Sequence, residues 1–140
     1  MTRERIDDVS RSEVFLKNSE ILFVDDEKDL LFTVEEYLSQ MGYNITVVDS
    51  GLKALELTKK RRIDILITDL KMPEVNGLDL LKAVKEHQPE TEVIILTGYG
   101  SIETAVEALK LGSYDYLQKP IKLDRLKALI DRILEKRSLK

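Results

Sequence analysis

The chain has 140 residues, enough for one domain with a substantial core, and its 43% hydrophobic and 34% charged residues fit a well-solvated shell around a compact interior. A formal charge of −4 lacks the clustered basic surface that nucleic acid requires, and the absence of cysteine excludes disulfides and thiolate metal sites and fits a reducing compartment. No apolar stretch approaches the roughly 20 residues of a membrane span, and residues 1–19 lack the apolar middle of a signal peptide, so a cytoplasmic protein with no membrane and no direct nucleic-acid contact is expected.

Residues 1–19 mix charges of both signs, and Ile6, Val9, Val14 and Phe15 keep neither a helix nor a strand period, which predicts a flexible or marginally helical arm. From residue 20 to 137 short apolar runs alternate with helix-period segments, the pattern of one parallel sheet covered on both faces. The first run, 21–24, is followed by a predicted helix over 27–41 with Leu31, Val34, Leu38 and Met41 inward, Glu27 as its cap and Gly42 as a left-handed stop. Residues 43–48 read as the second strand, with Tyr37 and Tyr43 packing the first helix against the sheet margin. Asp49-Ser50-Gly51 then caps a helix carrying Leu52, Leu55 and Leu57. Lys59-Lys60-Arg61-Arg62 ends it, where cations complement the carbonyl-rich terminus.

The third strand covers 63–68, and the turn signals of Met72 to Gly77 precede a helix marked by Leu78, Leu81 and Val84, with His87 at its surface end. Residues 93–96 form the fourth strand. Gly98 to Ser101 leads into a helix with Ile102, Ala105, Val106 and Leu109 on one face and Gly112 beyond it. A fifth strand from 114 stops at Pro120. The last helix, 123–136, turns Leu126, Ile130 and Ile133 inward, with Leu129 and Leu134 widening the stripe.

Four of these runs end in side chains suited to magnesium-dependent phosphoryl transfer: Asp25-Asp26, Asp69, Thr97 and Lys119. In a flavodoxin-like doubly wound α/β fold with five parallel strands in order 2-1-3-4-5 and five helices, all four endings lie on one sheet edge, and the ligand crevice falls between strands one and three. Three carboxylates in one pocket repel by about 4 kcal/mol per pair at about 4 Å and an effective dielectric near 20, so they need a cation or a proton. With no cysteine and one histidine the donor set is all oxygen, which favours Mg²⁺ or Mn²⁺ over zinc. A carboxylate can attack phosphorus, a lysine can pair with a phosphoryl oxygen and Thr97 can donate a hydroxyl hydrogen bond.

The Asp25-Asp26 pair, Asp69-Leu70-Lys71-Met72-Pro73 with Gly77 following, Thr97, and Lys119-Pro120 together resemble the receiver domain of two-component response regulators. The resemblance implies that Asp69 accepts a phosphoryl group from a phosphohistidine of a sensor histidine kinase. It implies that Asp26 and Asp69 bind Mg²⁺ directly with the backbone carbonyl of Lys71, that Asp25 acts through water, that Thr97 and Lys119 contact the phosphoryl group, and that the Lys119-Pro120 peptide is cis. It also makes Thr97 and Tyr116 a coupled switch that changes the surface of helix four, strand five and helix five, with a homodimer favoured by phosphorylation.

The stretch from Leu96 to Val106 with Tyr114 to Leu117 is most similar to receivers of the nitrogen-regulator class, which precede a sigma-54-activating ATPase and a DNA-binding domain. The arm and the receiver fill these 140 residues, so transcriptional output would lie in another segment or partner. Gly98 stands where many receivers carry alanine. Tyr99 and Lys71, each two residues beyond Thr97 and Asp69, flank the expected path of attacking water and are read as tuning residues for the acyl phosphate lifetime.

Three rival readings are weaker. An aspartyl phosphatase needs an acid two residues after its nucleophile, where this chain has Lys71. A nucleotide or flavin module needs a glycine loop whose spacing is absent. A receiver used only for docking would not need the intact acid set.

Overall fold

The computed structural model describes residues 18–138, so most of the expected arm over 1–19 lies outside the described residues. From residue 20 to 138, five strands and five helices alternate: β1 (Glu20–Val24), α1 (Lys28–Gln40), β2 (Asn44–Val48), α2 (Gly51–Lys60), β3 (Ile65–Thr68), α3 (Gly77–His87), β4 (Glu92–Thr97), α4 (Ile102–Lys110), β5 (Asp115–Gln118) and α5 (Leu123–Ser138). All strand pairs are parallel and the order is β2-β1-β3-β4-β5, the flavodoxin-like doubly wound topology expected from the alternation.

The period of two along the strands divides the core. Ile21, Phe23, Ile65, Ile67, Ile94 and Leu96 face α1 and α5, whereas Leu22, Val24, Leu66, Val93 and Ile95 face α2, α3 and α4. Both sheet faces are thus covered, which is why β1, β3 and most of β4 read as unbroken apolar runs. Gly42, at φ 91°, makes the left-handed stop after α1. Tyr43 is buried in the α1 and α5 cluster with Tyr37 packed against it, and its hydroxyl donates to Asp131 on α5, so it also ties that helix to the sheet margin.

Several inward faces differ from the simple hydropathy reading. Met41 lies at the C-cap of α1 and is half exposed, because the chain has already turned away from the core. The buried positions of α2 are Gly51, Ala54 and Thr58; Leu55 and Leu57 flank them and Leu52 points outward. Small residues occupy the closest line of approach there, and a hydropathy stripe overlooks them. In α3 the buried set is Gly77, Leu80, Leu81 and Val84, with Leu78 at the margin.

The largest departure is α4. Its apolar face exists, but Ile102 is 85% exposed and Val106 and Leu109 also reach solvent, while Ala108 alone of its residues is buried. The α5 stripe matches its expectation, with Leu126, Ile130, Ile133 and Leu134 buried and Leu129 packed beside them.

Glu27 occupies the N-cap position of α1 without a side-chain cap bond; its backbone N–H donates to Asp25 instead. Ser50 caps α2 through the Lys53 N–H, and Asn76 with Asp79 forms a reciprocal capping box on α3. The basic run occupies the end of α2, where Arg61 donates to Thr46 and Arg62 pairs with Asp64 at 3.2 Å. His87 is exposed at the end of α3. Among the described residues, no helix is long and apolar enough to cross a membrane.

Candidate functional site

The ends of β1, β3 and β5 are held in register beyond their last paired residues. Asp25 N–H donates to Val48 O at 3.2 Å, Asp69 N–H to Val24 O at 3.1 Å, and Lys119 N–H to Thr97 O at 2.9 Å. These bonds carry the sheet geometry into the loops, so Asp25, Asp26, Asp69, Thr97 and Lys119 emerge along one edge. The β3–α3 loop packs directly on the central aspartate: a Cβ on buried Gly77 would lie 2.3 Å from Asp69 O, so only glycine fits that approach.

Carboxylate oxygens of Asp25, Asp26 and Asp69 all lie within 4.8 Å of one another. Asp25 and Asp69 are buried and Asp26 is exposed at the mouth. Lys119 Nζ bridges the buried pair, at 2.6 Å from Asp25 Oδ2 and 3.1 Å from Asp69 Oδ2. Asp25 Oδ1 accepts from Glu27 N–H at 2.9 Å, and Asp69 Oδ1 accepts from Leu70 N–H at 2.6 Å and more weakly from Lys71 N–H at 3.4 Å.

Burial pushes the Asp25 carboxyl above the ordinary carboxylate range, with the hydrogen bonds from Lys119 and Glu27 opposing it. Burial also acts to lower the Lys119 ammonium, but its hydrogen bonds to Asp25 and Asp69 outweigh that and hold it above its ordinary value. The cluster therefore keeps a lysine cation among three carboxylates and still carries excess negative charge. An all-oxygen donor set with one open, exposed carboxylate fits a hard divalent ion such as Mg²⁺ that retains water ligands.

Thr97 is fully buried, and its Oγ1 accepts from Tyr99 N–H at 3.1 Å. The Lys119-Pro120 peptide is cis. Lys71 Nζ stands 5.0 Å from the centroid of the largely exposed Tyr99 ring, so the loops after β3 and β4 meet through a cation–π contact.

Tyr116 is half-buried on the same sheet face as Thr97, and its hydroxyl lies 2.8 Å from Thr104 Oγ1 in the first turn of α4. Thr104 was not legible as a site residue. Its one signal is the Ser101-x-x-Thr104 spacing, which reads as an ordinary capping motif.

Residues 21–131 match the response regulator receiver domain family. The transcriptional regulatory protein ZraR of Escherichia coli O157:H7 is 41% identical over 117 residues, covering 84% of this chain and 26% of ZraR. The chain thus spans about a quarter of the length of such relatives. Among solved structures, the receiver domain of NtrX from Brucella abortus is 37% identical with a TM-score of 0.75, covering 82% of this chain and 98% of that one. The beryllofluoride-activated NtrC4 receiver domain, determined as a dimer, is 31% identical with a TM-score of 0.78, covering 84% and 97%. A response regulator from Burkholderia pseudomallei, solved with a phosphorylated aspartic acid, a calcium ion and citrate, is 28% identical with a TM-score of 0.76, covering 87% and 72%. The strand-end acids, their lysine and the doubly wound sheet agree with this likeness across most of the chain: the protein belongs to the response regulator receiver family, and its likeness runs to receivers of the nitrogen-regulator class.

Proposed function

We propose that residues 20–137 form a phosphoacceptor receiver in which Asp69 takes a phosphoryl group from a phosphohistidine of a sensor histidine kinase in the cytoplasm. The observation that carries this reading is the convergence of three carboxylates within 4.8 Å around the Lys119 ammonium. An oxygen of the Asp69 carboxylate attacks phosphorus, the P–N bond to the donor imidazole breaks, and the nitrogen leaves with the electron pair and is protonated by solvent. The Leu70 N–H fixes Asp69 Oδ1, which leaves Oδ2, now held by Lys119, as the oxygen that forms the new bond. Lys119 then moves its contact from the carboxylate to a phosphoryl oxygen, and the Thr97 hydroxyl donates to another.

Asp26, Asp69 and the Lys71 backbone carbonyl would hold Mg²⁺ (or Mn²⁺), with Asp25 acting through water. When bound, the ion offsets the charge of the carboxylates and the incoming phosphoryl group. The same arrangement supports self-phosphorylation from small donors and self-dephosphorylation. Lys71 and Tyr99, joined to each other across the loops after β3 and β4, tune the second reaction by hindering water.

Adding a phosphoryl group supplies a charge of about −1.5 to −2, which draws Thr97 toward Asp69 and vacates space that Tyr116 enters. The surface of α4, β5 and α5 changes with it and favours a homodimer; the activated NtrC4 receiver dimer supports that assembly. Output, most simply transcription control as the name of ZraR indicates for that protein, would reside in a domain or partner beyond these residues.

The test is intact mass after incubation with acetyl phosphate and Mg²⁺. The wild type gains a phosphate-sized increment that Asp69→Asn lacks. No increment in the wild type would falsify phosphoacceptor function.

A further inference from the structure

The loop between β4 and α4 contains two glycines whose surroundings differ sharply. A Cβ on Gly98 would meet nothing within 4 Å. A Cβ on Gly100 would lie 2.6 Å from Tyr116 Oη, 3.1 Å from its Cε1 and 3.2 Å from its Cζ. Gly100 has no backbone conformation that demands glycine, since its φ is not in the positive region. The demand comes from the hydroxyl end of the Tyr116 ring, which lies flush against this position and would have to shift to admit a Cβ.

The same hydroxyl end of the ring is also anchored by a hydrogen bond. Its hydroxyl meets Thr104 Oγ1 at 2.8 Å, and Thr104 is the residue whose hydroxyl accepts from Ser101 N–H at 3.0 Å while its own N–H donates to Ser101 Oγ at 3.1 Å. The tyrosine hydroxyl therefore joins the capping box of α4 rather than an isolated surface group. That helix has little else to hold it: Ala108 is its buried residue, and Ile102, Val106 and Leu109 face solvent.

We propose that Gly100 and Thr104 form a latch that seats the Tyr116 ring in its outward pose and thereby holds the first turn of α4 in the unphosphorylated conformation. The inference rests on the Tyr116 switch proposed above and adds the residues that set its resting position. Gly100 supplies the seat, Thr104 supplies the anchor, and inward motion of the ring removes the hydroxyl from the α4 cap. Both are positioning residues; neither touches the phosphoryl group.

The test uses the full chain without phosphodonor and reads amide hydrogen exchange along α4, with exchange in β1 and β3 as the control for folding. Tyr116→Phe, which leaves the Ser101 and Thr104 capping bonds intact, and Gly100→Ala should each accelerate exchange in the first turn of α4 by about fivefold, the population change of one hydrogen bond of ordinary net strength. Gly98→Ala should match the wild type. Adding Tyr116→Phe to Thr104→Val should accelerate exchange no further than Thr104→Val does alone.

Wild-type exchange in both Tyr116→Phe and Gly100→Ala, or full additivity of the Thr104→Val and Tyr116→Phe effects, overturns the latch. These readings need no phosphorylation, so a failed latch leaves the phosphate increment on Asp69 in place, whereas a failed phosphoacceptor reading removes that increment and leaves the exchange pattern standing.

Discussion

Asp26→Asn keeps the size of the side chain and removes one of three charges whose oxygens lie within 4.8 Å. Two unit charges at that separation repel by about 3 kcal/mol at an effective dielectric near 20 and by about 1 kcal/mol in water. Asp26 is exposed at the mouth of the site, so the watery limit governs its interactions with Asp25 and Asp69, and Lys119 already offsets part of the charge on that pair. The substitution should stabilise the metal-free protein by about 1–2 kcal/mol, equivalent to a rise in melting temperature of roughly 5 °C for a domain of this size. Thermal unfolding followed by circular dichroism in EDTA measures it directly. In saturating Mg²⁺ the difference should close or reverse, because the wild type gains binding free energy that the variant has lost along with a ligand. An unchanged or lowered melting temperature in EDTA would show that the three carboxylates do not repel as the geometry requires.

Thr97→Ala should still acquire phosphate on Asp69 while losing most of the phosphorylation-dependent self-association, as read by analytical ultracentrifugation; full dimerisation in the variant would remove Thr97 from the coupling. Lys71→Ala and Tyr99→Ala should each change the dephosphorylation rate, and the double variant should change it by less than the two effects combined, because each substitution already breaks the 5.0 Å contact; unchanged rates in both single variants would exclude them as tuning residues. Tyr43→Phe should lower stability in urea by about 1–2 kcal/mol by leaving Asp131 without its hydroxyl donor, and no loss would mean that water replaces it fully. Lys119, whose folded value lies above the ordinary 10.5, contributes stability that is complete below that pH and is lost as pH rises through the higher folded value, so the advantage of wild type over Lys119→Met in metal-free urea titrations should shrink only in the alkaline range.

Sheet topology and the positions of the chemical groups were legible in the chain because both depend on features a sequence carries locally. Apolar runs of strand length alternating with helix-period segments leave few arrangements, and each run here terminates in its polar residue, so Asp25, Asp26, Asp69, Thr97 and Lys119 fall on one edge once the order β2-β1-β3-β4-β5 is adopted. The Ser50 cap was legible for the same reason, since it acts on a backbone group three residues away, whereas Glu27 holds the N-cap position of α1 without the side-chain bond expected of it and the Asn76 cap was hidden among turn signals.

What hydropathy could not decide is which face of a helix lies closest to its neighbour. Ala54 and Thr58 displaced Leu52 from the core because α2 approaches on its small residues, and the apolar stripe of α4 stayed in solvent because that helix rests on Ala108. The contacts that couple the site to its surroundings were equally invisible, since Lys71 and Tyr99 come from loops after different strands and Thr104 on α4 meets Tyr116 on β5. Amino-acid order alone determined which groups reach the sheet edge, because strand ends are local. The tertiary structure alone decided that Lys119 bridges Asp25 and Asp69 and that Tyr116 lies against Gly100, because both depend on the approach of segments distant in the chain.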